Sequence, residues 1–223
     1  MQGRIYYLTF SDRILYTEGE VELVDKPIFY DSDVLICFLA INQSDILMNL
    51  FSKVIVPEPV YIELINITVY QNIKQNLNFL IQENFVEIAE VDFASPEGNT
   101  YNLIRRGFWS DGNVIGRGES ASMALAIENN GIVASNNLSD VQKICDDYEI
   151  PVITASIILA FCFELNLMDE EEVEAIWQKI LTKTKQIMPT QTFRKYYDEL
   201  FKNDCNVLLK GYDFKKHYLN SKK

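Results

Sequence analysis

The chain has 223 residues, 48% of them hydrophobic, which is enough for one sizeable core. Its formal net charge of −12 argues against strong non-specific nucleic-acid binding. No apolar run approaches the roughly 20 residues that span a bilayer, and the start MQGRIYYLTF lacks a basic segment followed by an apolar signal core. The sequence therefore predicts a soluble, cytoplasmic protein. Its charge is uneven, because residues 179–223 contain 11 Lys or Arg against 4 Asp or Glu.

The predicted elements begin with a β hairpin or meander, which the alternating segments RIYYLTF, RILYTEG and EVELVD indicate within the first 25 residues. After Pro27, five short apolar segments predict strands: IFYD, VIVP, FVEIAEV, GIVAS and IPVIT. Helical periods lie between them, near residues 34–51, 59–81, 118–129, 138–148 and 156–165. Alternating strands and helices predict an α/β fold in which helices cover both faces of a mainly parallel sheet.

The remaining segments divide the chain further. Residues 93–117 are expected to form a loop-rich insertion, whose length suggests a functional loop. Two more helices are predicted in MDEEEVEAIWQKILTKTK and TQTFRKYYDELFKN, on either side of Pro189. We expect an N-terminal β extension (1–26), an α/β domain (27–183) and a basic helical C-terminal extension (184–223).

Cysteine and histidine usage narrows the possible chemistry. The four cysteines are far apart in the sequence and form no C-x-x-C pair, which predicts reduced, structural thiols. The single histidine, His217, lies in the C-terminal tail, so neither a histidine triad nor a zinc site has support. Any catalysis must therefore depend on carboxylates.

Four acidic residues lie where a strand ends or a helix begins: Asp31, Glu63, Glu119 and Asp140. Because the carboxyl ends of parallel strands share one edge with the helices that follow, we expect these side chains to converge. Converging carboxylates raise each other's pKa, and a divalent cation such as Mg²⁺ or Mn²⁺ removes that cost and supports phosphodiester hydrolysis. Each acid alone also has an ordinary explanation as a helix cap or a first-turn residue.

The order of these motifs resembles that of PIN-domain nucleases over residues 27–183. IFYDSDVLICFL resembles the first family motif, VIVPEPVYIELI the second, and GRGESASMALAIENNGIVASNNLSD the third and fourth. The resemblance implies a three-layer α/β/α sandwich and Mg²⁺- or Mn²⁺-dependent ribonuclease activity, often as a VapC-like toxin with an antitoxin partner, and often as a homodimer. The N-terminal β segment and the basic helical C-terminus depart from the family pattern.

The resemblance also implies site residues. Asp31, Glu63 and Glu119 match the family's metal ligands. Asp33 stands where the family usually has Asn or Ser, so it would orient Asp31 or add charge.

The fourth ligand position has two alignments. Many family members carry two aspartates where this chain has Asn136 and Asn137. VapC-like toxins instead have an Asn followed three residues later by an Asp, which Asn137 and Asp140 match. We prefer the second alignment and keep Asn136 and Asn137 as alternative or supporting residues. Under the first, the site has lost a carboxylate and its activity is in question.

Two functions are consistent with the sequence. The first is a metal-dependent endoribonuclease with RNA as substrate. Its expected nucleic-acid contacts are Arg105, Arg106 and Arg117, with Lys53, the C-terminal lysines and the aromatic pair Phe108 and Trp109 as further candidates. The second is a non-catalytic PIN-like module that binds protein or nucleic acid. A nucleotide-binding switch is disfavoured, because no glycine-rich loop follows the first strand.

Overall fold

The computed structural model describes residues 14–17, 20–23, 26–108 and 114–222. In the N-terminal extension, β1 (Ile14–Thr17) and β2 (Glu20–Leu23) pair antiparallel, with Ile14 opposite Leu23. The two strands lie in the segment where alternation predicted a hairpin or meander. The rest of the extension before residue 26, and residue 109 of the predicted aromatic pair, lie outside the described residues.

A five-stranded parallel sheet forms the centre of the fold. Its strands have the order β5-β4-β3-β6-β7, and each neighbouring pair is parallel. They are β3 (Ile28–Tyr30), β4 (Val54–Pro57), β5 (Val86–Ala89), β6 (Ile132–Ala134) and β7 (Val152–Ile153). The five predicted strands and the α/β sandwich are confirmed.

Helices follow the strands and continue to the C-terminus. They are α1 (Ser32–Leu39), α2 (Asp45–Leu50), α3 (Glu58–Asn66), α4 (Gln71–Gln82), α5 (Pro96–Arg105), α6 (Arg117–Glu128), α7 (Leu138–Asp147), α8 (Ala155–Glu164), α9 (Glu170–Lys183), α10 (Phe193–Tyr196), α11 (Lys202–Leu208) and α12 (Phe214–Ser221). A π-helical turn, Tyr197–Phe201, joins α10 to α11. Within the described ranges, no helix is long and apolar enough to cross a membrane.

The predicted loop-rich insertion over residues 93–117 is wrong, because α5 occupies ten of its residues. The Ser95 hydroxyl caps this helix by accepting a hydrogen bond from the Glu97 backbone N–H at 3.2 Å, and Pro96 takes the first position. Gly98 lies within this helix and is required for packing, since a Cβ atom there would overlap the Phe93 backbone. The glycine therefore marks a close approach of two segments and does not break the helix.

Two predicted helices are each divided in the structure. The segment 34–51 contains α1 and α2, separated at Asn42, whose φ of 56° is left-handed. Asn76 stabilises this turn because its amide donates hydrogen bonds to the Leu39 carbonyl at 2.7 Å and to Asn42 Oδ1 at 2.8 Å. The segment 59–81 similarly contains α3 and α4. Hydrophobic periodicity continues across both breaks, which explains why it did not reveal them.

Contacts of the central strand β3 position the end of the sheet that carries the acids. The Asp31 backbone N–H donates to the Ala134 carbonyl at 2.8 Å, which continues the pairing of β3 with β6. On the helix above, the buried Ser122 hydroxyl donates to the Tyr30 carbonyl at 3.3 Å. These bonds place the start of α6 beside the end of β3.

Candidate active site

A pocket of about 640 Å³ lies where the carboxyl ends of the strands meet the following helices. Its wall contains five acidic residues: Asp31, Asp33, Glu63, Glu119 and Asp204. We call it the acid pocket. Four of these acids were singled out in the sequence, and the structure brings them together from α1, α3 and α6.

Asp31 is the most deeply buried of these acids, with 3% of its surface exposed. It is the N-cap of α1, where Oδ1 accepts from the Ser32 backbone N–H at 2.7 Å and Oδ2 accepts from the Ser135 hydroxyl at 3.4 Å. Burial raises the pKa of Asp31 well above its usual range, and the negative charges of Asp33 and Glu119 raise it further. The folded protein therefore carries a costly carboxylate at this position.

Asp33 connects the start of α1 to the segment after β6. Its Oδ2 accepts from the Asn136 backbone N–H at 2.8 Å and from the Ser135 hydroxyl at 3.4 Å, while Oδ1 accepts from the Val34 backbone N–H at 2.6 Å. Burial raises the pKa of Asp33 to about 6, although these backbone hydrogen bonds oppose the shift. The single proton of the Ser135 hydroxyl lies within hydrogen-bond distance of both carboxylates, so Ser135 bridges Asp31 and Asp33 and restricts the orientation of Asp31.

Glu63 and Asp31 approach each other around Gly118. A Cβ atom at residue 118 would lie 3.0 Å from Glu63 Oε2 and 3.1 Å from Asp31 Oδ1. The two oxygens are thus no farther apart than about twice that distance, with only a glycine between them. Desolvation raises the pKa of Glu63, and the charge of Glu119 contributes in the same direction. The missing side chain at Gly118 leaves a small cradle between two carboxylates.

Glu119 uses both of its carboxylate oxygens within the protein. Oε2 accepts from the Gly116 backbone N–H at 3.0 Å, and Oε1 accepts from the Asn137 side-chain amide at 2.6 Å. These bonds hold the carboxylate at the edge of the pocket. Consistent with this, no three Asp, Glu, His or Cys side chains in the described ranges are already arranged as ligands of one ion.

Asp140 lies one contact behind the pocket wall. The Asn137 amide that reaches Glu119 also donates to Asp140 Oδ2 at 3.0 Å, and the Ser139 hydroxyl donates to Asn137 Oδ1 at 2.6 Å. Asp140 is therefore linked to Glu119 through Asn137 and does not line the acid pocket itself. The spacing of Asn137 and Asp140 singled out in the sequence forms a connected pair, with the asparagine nearer to the pocket.

The Asn136 side chain has a structural role. Its Oδ1 accepts from the Ala155 backbone N–H at 2.9 Å, and its amide donates to Cys37 Sγ at 3.4 Å. These bonds join the segment after β6 to the first residue of α8 and to α1. Since both ends of the side chain are used, Asn136 stabilises the frame of the acid pocket.

Replacing Asn136 by Ala should destabilise the fold, because the buried Ala155 N–H loses its acceptor. An unsatisfied buried donor costs about 1–3 kcal/mol. Urea unfolding followed by circular dichroism measures the change, with Asn78→Ala, an exposed site on α4, as the matched control. The control should shift the unfolding free energy by less than about 0.5 kcal/mol. Equal effects of the two substitutions would contradict the structural role.

The structure places the predicted arginine contacts outside the acid pocket. The Arg105 guanidinium donates to the Ile115 carbonyl, so it fastens the segment before α6. Arg106 and Arg117 are exposed but are not part of the pocket wall. Lys53 forms an ion pair with Glu87. A contact of these residues with nucleic acid stays a prediction.

Two charged residues of the pocket wall come from the C-terminal part of the chain: Lys185, which the sequence analysis included only among the C-terminal lysines, and Asp204, which it did not single out. Lys185 comes from the segment after α9, and Asp204 comes from α11, where its Oδ2 accepts from the Tyr196 hydroxyl at 3.1 Å. Both are more than 150 positions from Asp31 in the sequence. No local motif marks either residue, because their position depends on how the C-terminal helices pack.

The fold and the pocket define an α/β domain with an acidic site at the carboxyl edge of a parallel sheet. A family model described as DUF3368: PIN domain matches residues 27–195. The chain therefore belongs to this family of PIN domains. The match begins where the predicted α/β domain begins, and it ends within α10. The matched range therefore includes the segment that carries Lys185.

Several solved structures are similar to part of the chain. DNA-bound VapBC from Salmonella typhimurium has 16% identity and a TM-score of 0.43, covering 59% of this chain and 99% of that one. FitAB bound to an IR36 DNA fragment has 16% identity and a TM-score of 0.41, with coverages of 57% and 94%. VapBC2 from Rickettsia felis, bound to a promoter DNA fragment, has 18% identity and a TM-score of 0.39, with coverages of 57% and 97%. No curated protein is significantly similar to the chain.

Proposed function

We propose that this protein is a metal-dependent endoribonuclease whose active site is the acid pocket. PIN domains are nucleases and generally depend on divalent metal ions. The observation that carries the proposal is the approach of Asp31 and Glu63 around Gly118, with Glu119 in the same wall. Three carboxylates held together without a basic partner suit a divalent cation, because such an ion removes their mutual repulsion.

The chemistry of these side chains fits Mg²⁺ or Mn²⁺, which prefer oxygen ligands and retain several waters. Asp31 and Glu63 would hold the ion beside the cradle at Gly118. Glu119 would join them after giving up one of its two hydrogen bonds, and the bond from Asn137 belongs to a side chain that can reorient. A bound ion would supply an activated water and offset charge on the phosphate.

The chain's own residues supply the orientation. Ser135 and Asp33 keep Asp31 directed into the pocket. Asn137 couples Glu119 to Asp140, so that Asp140 acts as a support of Glu119 and adds negative charge behind it. Under this proposal Asn137 and Asp140 form the fourth position of the VapC-like alignment, and Asp31, Glu63 and Glu119 remain in the pocket wall.

A binding-only function is the second candidate, and the hydrogen bonds of Glu119 favour it. Because both oxygens of this carboxylate are occupied by Gly116 and Asn137, the resting geometry does not present a complete set of ligands. A protein of this kind would bind a partner chain or nucleic acid without cutting it. It would show no site-specific affinity for Mn²⁺.

The deciding experiment compares wild type with Glu119→Gln, purified in parallel, on a pool of single-stranded and structured RNA. Reactions contain EDTA, Mg²⁺ or Mn²⁺. We expect cleavage by wild type only with a metal ion, and a loss of at least about tenfold in the variant, the lower end of what disturbing a metal site costs. The same rate in both proteins would indicate a contaminating nuclease. No cleavage by folded wild type in either metal would favour the binding-only function.

We also propose an antitoxin protein as partner, a homodimer and a cytoplasmic location, as the motif resemblance to VapC-like toxins implies. The four cysteines are unpaired, which agrees with a reducing compartment. Co-purification of tagged protein from its native cells, followed by light scattering, would test both assembly proposals. A monomer without a bound protein would contradict them.

A further inference from the structure

One wall of the acid pocket comes from the segment between α9 and α10. Lys185, Gln186, Ile187 and Pro189 all line the pocket. We call residues 185–189 the C-terminal wall. It faces the acids contributed by α1, α3 and α6, so a molecule bound to those acids would also contact this segment.

The backbone of the C-terminal wall is fixed at both ends. The Lys185 backbone N–H donates to the Tyr70 hydroxyl at 2.7 Å. Met188 is buried, and the fully buried Trp177 donates through its indole N–H to the Thr190 carbonyl at 3.1 Å. These contacts leave the side chains of Lys185 and Ile187 exposed, and Ile187 has 86% of its surface accessible. The C-terminal wall is thus held in place by the rest of the domain, and it presents one cation and one apolar side chain to the pocket.

Lys185 is the one Lys or Arg that lines the acid pocket within the described part of the chain. Its ammonium group has no hydrogen-bond or ion-pair partner among the described residues. Several other basic residues are already paired with carboxylates, including Lys53, Arg194, Lys210 and Lys215. An ammonium without an ion-pair partner, in the wall of a pocket that also contains five acids, is therefore available to a ligand that carries its own negative charge.

We propose that Lys185 binds a backbone phosphate of the RNA strand whose scissile bond lies at the acids, with Ile187 packing against an adjacent sugar or base. This inference rests on the proposed function and names the protein group that attracts the substrate. An acid pocket repels a polyanion, and an ammonium with three free donors is suited to a phosphate. Lys185 is a binding and positioning residue, since it is not one of the groups that would hold the reacting atoms.

The test measures steady-state cleavage of a fluorescein-labelled single-stranded RNA in Mn²⁺ by wild type, Lys185→Ala and Lys185→Arg. Lys183→Ala is the matched control, because this exposed lysine at the end of α9 does not line the pocket. We expect Lys185→Ala to raise KM about tenfold, as for the loss of one charged hydrogen bond, with little change in kcat. Lys185→Arg should retain most of the affinity, and Lys183→Ala should match wild type.

The salt dependence gives a readout that a structural role would not change. Losing one phosphate contact with a single strand should reduce the slope of log affinity against log salt by about 0.7. Equal KM values and salt slopes for Lys185→Ala and Lys183→Ala would overturn the inference. So would a changed Mn²⁺ affinity with unchanged KM for RNA, because Lys185 would then act as a counter-ion of the acids.

Fluorescence anisotropy separates this inference from the proposed function. The labelled RNA is titrated with each protein in Ca²⁺, and gels verify that it stays intact. One outcome is that wild type binds RNA in Ca²⁺ but does not cleave it in Mn²⁺, while Lys185→Ala weakens the binding about tenfold. In that case the proposed function fails and the inference stands. If wild type cleaves RNA and the variants bind it equally, the inference fails and the function stands. Absence of any RNA binding by wild type overturns the inference.

Discussion

Asp31→Asn should stabilise the metal-free protein at neutral pH and at the same time remove Mn²⁺ binding and metal-dependent cleavage. The Asp31 carboxylate is buried beside Asp33, Glu119 and Glu63, and its charged form is disfavoured. Asparagine keeps an oxygen for the Ser32 N–H and carries no charge. Each kcal/mol of unfolding free energy gained by removing this charge should raise Tm by about 2–4 °C in a chain of this size. Cleavage should fall by about a thousandfold, as for loss of a principal electrostatic group.

The pH dependence has a definite sign. A carboxyl group whose pKa is higher in the folded state than in the unfolded state favours folding most at low pH. Its contribution is lost as pH rises from the unfolded value, about 4 for Asp, through the raised folded value. Asp33, with a pKa of about 6, loses its contribution over roughly pH 4 to 6 in wild type and variant alike, whereas only wild type carries Asp31, whose raised pKa acts in the same direction. Wild type should therefore lose stability relative to Asp31→Asn as pH rises in EDTA.

Thermal unfolding from pH 4 to 8, in EDTA and in Mn²⁺, measures both effects, and calorimetry measures Mn²⁺ affinity. Asp169→Asn is the matched control, because Asp169 is also an N-cap that accepts a helix N–H but is exposed and does not line the acid pocket. This control should retain Mn²⁺ binding and gain no stability at neutral pH. If Asp31→Asn lowered Tm in EDTA throughout the range, the carboxylate would be a net stabiliser and the metal site would lose its main support.

Gly118→Ala should weaken Mn²⁺ binding and cleavage by about 10–100-fold, the range found when the surroundings of a metal site are disturbed. The added methyl group would lie 3.0 Å from Glu63 Oε2 and from Val60 Cγ2, and 3.1 Å from Asp31 Oδ1. Asp31 is fixed by its bonds to Ser32 and Ser135, whereas Glu63 is exposed and longer. We therefore expect Glu63 to move away, which separates the two carboxylates.

Ser120→Ala is the matched control for this substitution on the same helix. Ser120 is fully buried, and its hydroxyl has no hydrogen-bond partner among the described residues. Its removal should leave Mn²⁺ affinity unchanged and hold or raise stability, since an unpaired buried hydroxyl is unfavourable. Circular dichroism and calorimetry on both variants give the comparison. Wild-type Mn²⁺ affinity in a folded Gly118→Ala protein would show that the cradle is not where the ion binds.

Much of the frame of the site was predictable, because it depends on local patterns at strand ends. Each buried strand is a short apolar run, and Asp31 follows the first of them directly. Parallel pairing then brings the start of α6, with Glu119, to the same edge. The sequence could not show that Glu119 is held by Asn137, because this contact depends on side-chain orientation.

The parts that were not predictable depend on packing between distant segments. The helix α5 was missed although Ser95 and Pro96 form a good start signal, because the helix buries only Gly98 and Ile104 and so has a weak apolar pattern. Lys185 and Asp204 reach the acid pocket only because the C-terminal helices pack against the domain. Neither residue has a neighbouring motif, so no pattern in the linear sequence distinguishes it from other charged residues of the helical extension.

The residues that form the acid pocket are far apart in the sequence, and this separation also matters during synthesis. Asp31 and its partner Ser135 are 104 positions apart in the chain, and Lys185 follows 50 residues later still. A nascent chain emerging from the ribosome therefore carries its first carboxylate long before the rest of the pocket exists. Contacts of such long range form late in folding. If the pocket cuts RNA, the messenger being translated is exposed to a finished enzyme only after the segment that carries Lys185 has been made and has packed against the domain.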